Sequence, residues 1–369
     1  MRVVYFTHSL ASCWNHGNAH FLRGVLRELA RRGHAVQAYE PADAWSRRNL
    51  VADHGEAGLA AFTEAYPELE SRAYGPELDL DAALGGADLV LVHEWNDPKL
   101  VAAVGRARAR GWRFCLFFHD THHRAVSDPK AIRRFDLSGY DGVLAFGEAL
   151  AAVYRRRGWG ARVFVWHEAA DVSLFHPPQR EGPREGLVWV GNWGDGERSA
   201  ELERFLLAPA GAAALPLDIH GVRYPPEALK LIARHGARYL GWLANPKAPQ
   251  AFATHLASVH VPRRFYTRLL PGIPTIRVFE ALACGIPLLS APWPDAEGLF
   301  RAGRDYLVAR DEAEMTRHMR AVRDDPALRA ELVRSGLETI AARHTCAHRV
   351  DELLRITAAV APGKLEAAE

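Results

Sequence analysis

Apolar residues along this chain fall in short unbroken runs that end in polar residues, and between the runs leucine, valine and alanine recur at helical spacing. VVYFTH is the first such run, of the kind a strand buried on both faces shows. It leads through SCWNHGNAHF into FLRGVLRELARRG, a predicted helix that stops at Gly33. HAVQAYEP reads as a second strand. ADLVLVHEW, a helix around LVAAVGRARARG, RFCLFFHD, DGVLAFG, a helix over EALAAVYRRRG, and ARVFVWH continue the alternation. Strands alternating with helices predict a parallel sheet covered on both faces.

From His176 to Gly186 the stretch HPPQREGPREG breaks the pattern with proline, glycine and charge, which marks a linker. A second alternation follows. It runs through GLVWVGNWG, a helix over LERFLLAPA, PLDIHGV, a helix over PEALKLIARHG, ARYLGWL, ASVHVPRR, LLSAPW and DYLVA, and closes with helices over AEMTRHMRAVRDD, PALRAELVRSGLETIAARH and AHRVDELLRITAAV. Two α/β halves joined by a Pro-rich linker place the ligand site in a cleft where the carboxyl ends of both sheets meet.

Length and composition agree with this picture. The chain has 369 residues, enough for two domains of ordinary size, and its 49% hydrophobic and 24% charged content is that of a globular protein. A net charge of +2 argues against a dedicated nucleic-acid binder. Four cysteines, Cys13, Cys115, Cys284 and Cys346, lie far apart without a CxxC pair, a pattern that fits reduced thiols in a cytoplasm. MRVVYFTHSL is too short and polar for a signal peptide, and no apolar run reaches the ~20 residues a spanning helix needs. A cytoplasmic protein is the expectation.

PTIRVFEALACGIPLLSAPW, from Pro274 to Trp293, keeps one acid, Glu280, inside an apolar run. A helix N-terminus presents free N–H groups and partial positive charge, suited to a diphosphate, and a carboxylate one turn in can accept two hydrogen bonds from a sugar diol. FEALACGIP resembles the C-terminal domain of GT-B glycosyltransferases of the family-4 type, most of all the CgeB-like branch named after a spore-maturation protein. The resemblance implies an α/β protein with two Rossmann-like, doubly wound domains facing across a cleft. It implies an N-terminal domain over residues 1–178, completed by a C-terminal helix over 345–369, and a nucleotide-sugar-binding domain over 186–344.

By the same resemblance Glu280 binds the ribose hydroxyls, which leaves it no need of burial. The N–H groups of Thr275, Ile276 and Arg277 meet the diphosphate together with Arg198 of VWVGNWGDGERS. HGNAHFLRGVLRELARRGHAV, from His16 to Val36, resembles the first loop and helix of these enzymes, with Gly17 allowing close approach of the donor phosphate and Asn18 beside it. FFHDTHH maps His119 and Asp120 onto a strand-end His-Asp pair, His119 contacting the donor sugar or assisting at its anomeric centre. WHEAADVSLFHP matches a domain-closing segment through Asp171 and Phe175, and AARHTCAHRVDELL resembles the helix that crosses back to the first domain. Many relatives carry a second acid eight residues before the ribose-binding glutamate, where it touches the donor sugar. Here that position is Gly272, so the donor sugar does not carry over.

Plainer readings stand beside these. Arg263 and Arg264 follow the strand ASVHV near the cleft, and Arg263 is a further donor-binding candidate; yet Glu280 fits a salt-bridged acid on an ordinary helix, Arg198 and Arg263 fit solvated arginines, His119 fits a polar strand cap, and Trp242 fits a core residue as well as a contact to the base. The string His119, Asp120, His122, His123 has metal-ligating residue types, but a fixed site needs ligands converging from defined positions, and no metal is expected. RARARGWR and YRRRGW are basic-aromatic runs suited to weak peripheral contact with an anionic membrane, or to a solvated helix face.

The reading as a whole is a glycosyltransferase that uses a nucleoside diphosphate sugar as donor, with retention of configuration and no tightly bound cofactor. The acceptor (glycan, lipid, protein or small molecule) is unidentified, and nucleic acid is not among the expected partners. A nucleotide-sugar epimerase of the same fold and a non-catalytic nucleotide-binding subunit are the alternatives.

Overall fold

Buried parallel strands need side chains that are apolar on both faces, and the runs singled out above are the ones that pair. The structure, a computed structural model, describes residues 1–14, 17–177, 182–194 and 196–360. His16 of the first loop, residues 178–181 of the expected linker, Asp195 and the tail 361–369 lie outside the described residues. The chain divides into two compact units, residues 1–168 with the C-terminal helix Cys346–Val360, and Ala169–Thr345.

The first unit is built on seven parallel strands: β1 (Arg2–Phe6), β2 (Ala35–Pro41), β3 (Ser71–Tyr74), β4 (Leu89–His93), β5 (Cys115–Asp120), β6 (Gly142–Ala145) and β7 (Val163–Val165). Their order is β3-β2-β1-β4-β5-β6-β7, so the winding reverses between β1 and β4, the place where ligands approach open sheets of this kind. Every residue of β4 and β5 is buried, while the edge strand β3 (SRAY) is half exposed and carries no apolar run. That is why β3 escapes a hydrophobicity reading, as do the flanking helices Trp45–His54 and Ala57–Ala65, which bury only Ser46, Leu50 and Phe62.

The C-terminal helix Cys346–Val360 is part of this unit. Val350 and Leu353 are fully buried, and the indole of Trp166, itself fully buried, donates to the carbonyl of Arg349 at 2.8 Å. Burying the indole ring with its N–H satisfied ties the last helix to the strand-end segment after β7.

The second unit holds six parallel strands: β8 (Leu187–Val190), β9 (Leu217–His220), β10 (Arg238–Gly241), β11 (Ala257–His260), β12 (Leu288–Ser290) and β13 (Leu307–Val308), in the order β10-β9-β8-β11-β12-β13. Its core gathers Leu187, Trp189, Phe205, Ile219, Leu289 and Met315. The helix predicted over LERFLLAPA is interrupted. A wide π-helical turn occupies Glu203–Leu207, one residue before Pro209, whose missing N–H cannot serve a regular α-helical ladder. The expected strand DYLVA shrinks to the two residues of β13. The helix Ile276–Ala283 ends where Gly285 takes φ +63°, and the chain turns through Pro287 into β12. Among the described residues no helix is long and apolar enough to cross a membrane.

Candidate functional site

In the second unit the carboxyl ends of β8, β10 and β11 bring together residues far apart in sequence. The loop after β8 leads to Arg198, whose guanidinium lies over the Trp189 ring at 5.0 Å. It donates through Nη1 to the carbonyl of Val261 (2.8 Å), just past β11, and through Nη2 to the carbonyl of Asn192 (2.6 Å). Its third nitrogen, Nε, is buried with no hydrogen-bond partner and faces Gly194, where an added Cβ would come within 3.1 Å of it. Burial, then the charge of Arg263, lowers the Arg198 pKa to about 9, which leaves it protonated at neutral pH. Arg263 donates to Glu197 at 2.9 Å, and Arg277 is near enough to add its repulsion to Arg198. Three arginines therefore crowd one end of the sheet.

Thr275 precedes the helix Ile276–Ala283 in extended conformation, and its side chain makes no capping bond. The N–H groups of the first turn thus keep their positive end uncovered by the usual hydroxyl cap. Ile276 is buried and offers this end only its backbone. Glu280 is fully buried, against the expectation that it need not be. Its Oε1 accepts from Asn245 Nδ2 at 2.6 Å and its Oε2 pairs with Arg277. The cause is helical spacing: Arg277, three residues earlier, sits over Glu280, with 27% of its own side chain exposed. Trp242 is half-buried on the segment after β10 that leads to Asn245.

Gly272 has φ +92°, and a Cβ there would lie 3.1 Å from Ala296 Cβ and 3.2 Å from the Ala296 nitrogen. A side chain has no room at this position, a local steric reason for glycine where the resemblance implies an acid.

In the first unit, Gly17 is half-buried and its carbonyl accepts from His20 at 3.3 Å, opening the helix Ala19–Arg31. Asn18 donates to the carbonyl of Thr121 at 3.0 Å and to its hydroxyl, and that hydroxyl is 2.9 Å from His93 Nε2. The first loop is so tied to the ends of β4 and β5. His119 is not an open strand-end residue. It is fully buried, hydrogen-bonded through Nδ1 to the Tyr5 hydroxyl and enclosed by Phe21, His93 and Trp166, while Nε2 has no partner. Burial lowers its pKa to about 3, so it is a neutral imidazole and no proton shuttle at ordinary pH.

Two of its neighbours, His93 and Glu94, escape the sequence reading. β4 and β5 end alike, His93-Glu94 beside His119-Asp120, with the two histidines in register. Both acids are fully buried. Asp120 accepts from Tyr154 (2.6 Å) and from the His122 N–H (2.9 Å), and burial raises its pKa to about 6. Burial and the Asp120 charge raise Glu94 well above the carboxylate range, partly offset by Arg124, whose guanidinium lies 3.9 Å from the Trp95 ring centre. The repeated His-acid strand ending is the signal that was there to be found. The string His119–His123 does not converge. His119 turns to Tyr5, Asp120 to Tyr154 and His123 to Ser127, and among the described residues no group of three or more His, Cys, Asp or Glu could hold a metal ion.

Residues 198–355 match a family model described as Glycosyl transferase-like. No curated protein matches the chain. Among solved structures, a sucrose-phosphate synthase from Thermosynechococcus elongatus is similar over 98% of this chain and 100% of its own, at 16% identity and a TM-score of 0.65. HepE of Anabaena, solved in complex with UDP and glucose, is similar over 97% and 100% at 15% identity and a TM-score of 0.64. T4 phage β-glucosyltransferase, in complex with its UDP-glucose substrate, covers 98% and 99% at 10% identity and a TM-score of 0.59. At these identities the likeness is one of fold, and the fold is GT-B: two Rossmann-like α/β domains on parallel sheets of seven and six strands.

Proposed function

We propose that this chain is a glycosyltransferase that moves a sugar from a nucleoside diphosphate sugar, with the second unit holding the nucleotide. The observation that carries the reading is Arg198, a buried cation crowded by Arg263 and Arg277 with one N–H donor left over beside a glycine of its loop. An anion of two phosphates would relieve the repulsion and satisfy that donor. The first-turn N–H groups at Thr275, Ile276 and Arg277 would add their dipole. The match of residues 198–355 to the Glycosyl transferase-like family supports this assignment, and the UDP bound by HepE and the UDP-glucose bound by T4 phage β-glucosyltransferase make uracil the first base to test. The CgeB-like placement within that class rests on FEALACGIP.

In this reading Glu280 binds the ribose, and Arg277 has two positions. Without donor it covers and neutralises Glu280; with donor it turns to the diphosphate and uncovers the carboxylate for the diol. Stabilising the departing diphosphate by donors fixed in advance is the electrostatic core of such a transfer. His119, neutral and enclosed, serves by holding Tyr5 and the ends of β4 and β5. Gly17, Asn18 and Trp242 are assigned to the donor's surroundings on motif position alone.

Thermal unfolding with UDP, GDP, ADP and TDP tests the nucleotide site, since a ligand of the native state raises its melting temperature by mass action. Turnover of nucleotide sugars with and without acceptor mixtures then separates transfer from epimerisation, which needs no acceptor. If none of the four diphosphates shifts the transition at millimolar concentration, the proposal falls.

A further inference from the structure

The first unit has a second chemistry-bearing region that the donor site does not use. At the amino ends of β5, β6 and β7 the connecting segments 105–113, 132–141 and 155–162 come together. The closeness is explicit: a Cβ on Gly139 would lie 2.4 Å from the Gly105 carbonyl oxygen, Arg108 is 3.6 Å from Asp141, and the Val143 N–H donates to the Arg162 carbonyl at 2.9 Å. Between the second and third segments runs a groove of about 390 Å³ whose lining includes Arg133, Phe135, Ser138 and Trp159. Phe135 and Trp159 are half-buried, each keeping part of its ring at the surface.

Around this groove the charge is one-sided. Arg106, Arg133, Arg134, Arg156, Arg157 and Arg162 are exposed, and none of them forms an ion pair among the described residues. Arg155 is paired with Glu148, Arg110 lies 3.8 Å from Asp81, and Asp136 beside Arg106 is the acid of the groove itself. In a chain whose net charge is only +2, so local an excess of unpaired guanidinium groups is a directed field.

We infer that this amino-end face of the first unit docks on an anionic phospholipid surface, with a headgroup phosphate in the Arg133–Trp159 groove. Charge complementarity selects a polyanionic partner, and the aromatics select the lipid. Indole rings belong at headgroup depth, where one edge is apolar and the other wet, and RGWR and RRRGWG each place a half-buried tryptophan among arginines. Guanidinium groups bind phosphate through a planar fork, so arginine in place of lysine suits the headgroup too. The inference is independent of the donor-site proposal, because it uses none of its residues.

Sedimentation with vesicles tests it. At about 0.1 M salt the protein should pellet with vesicles of equimolar phosphatidylglycerol and phosphatidylcholine, stay in solution with phosphatidylcholine alone, and be released at about 1 M salt. Each arginine near an anionic surface changes partitioning about fivefold, so the triple variant R133Q/R134Q/R156Q should bind about a hundredfold more weakly. R234Q/R304Q/R317Q, which removes the same charge from exposed positions of the second unit, should bind as the native protein does. The proposal is overturned by absent binding to phosphatidylglycerol vesicles, or by equal losses in the two triple variants. Tighter binding of the native protein to a single-stranded RNA than to the vesicles also overturns it, and gives the face to nucleic acid. Unchanged melting temperatures of both variants show that folding is not what is being read.

Discussion

Replacing Glu280 by glutamine separates the ribose contact from every other feature of the donor site. The substitution keeps the shape and removes the charge. In the unliganded protein Asn245 can still donate, now to the glutamine carbonyl oxygen, and Arg277 loses its partner but is 27% exposed and can hydrate. Breaking a fully buried pair costs several kcal/mol because an uncompensated charge stays inside. With Arg277 at the surface the cost should be nearer 1–2 kcal/mol, about 2–8 °C in melting temperature for a domain of this size. Binding should suffer more. A hydrogen bond to a charged group contributes about 1.5–3 kcal/mol, so weakening both ribose contacts should lower nucleoside diphosphate affinity by at least about tenfold. Inorganic pyrophosphate has no ribose. Its affinity should be unchanged or slightly higher in Glu280→Gln, because Arg277 is no longer held back, whereas Arg198→Gln should weaken pyrophosphate and nucleotide alike. Calorimetric titration of the three proteins with UDP and with pyrophosphate gives the comparison. If Glu280→Gln is folded and binds UDP within twofold of native, or loses pyrophosphate as much as UDP, the ribose assignment is wrong.

Three further outcomes are expected. Gly272→Asp should destabilise the second unit by about 1–3 kcal/mol, because φ +92° and Ala296 leave no place for a side chain; a urea midpoint equal to native refutes this. His260, whose pKa burial and Arg198 lower to about 3, resists protonation in the folded state while the unfolded chain takes up a proton below about pH 6.5. The native protein should therefore lose about 1.4 kcal/mol per pH unit relative to His260→Asn between pH 6.5 and 4.5, and a stability difference that does not change with pH contradicts the burial argument. Transfer activity should survive EDTA, since three arginines and a helix N-terminus supply the positive charge; complete loss restored by a divalent cation would move the reaction to another mechanistic class.

Strands were legible where the sheet demanded apolar residues on both faces, as in VVYFTH, ADLVLVHEW and RFCLFFHD. The stretch from Trp45 to Leu84 was not legible, because its helices bury few side chains and β3 lies at an edge, so neither period stands out. At the site, Glu280 and Arg198 could be picked out from local context: an acid in an apolar helix and an arginine after a glycine loop. Their partners could not. Asn245 meets Glu280 across 35 residues of sequence, and Val261 receives Arg198 across 63. The burial of His119 depends on Tyr5, Phe21 and Trp166, each brought by a different segment, so a strand-end histidine reads as exposed until the sheet is assembled.

The last helix, Cys346–Val360, has a consequence for how the chain is made. Everything the second unit needs, Ala169–Thr345, is contiguous, so it can fold as soon as that stretch has left the ribosome. The first unit is synthesised earlier yet stays incomplete, because Trp166 lacks the Arg349 carbonyl and the helix Ala19–Arg31 lacks its partner until the helix Cys346–Val360 emerges. Synthesis order and completion order are reversed, and while Ala169–Thr345 is being made the nascent first unit carries an uncovered apolar seam that a holding chaperone would recognise.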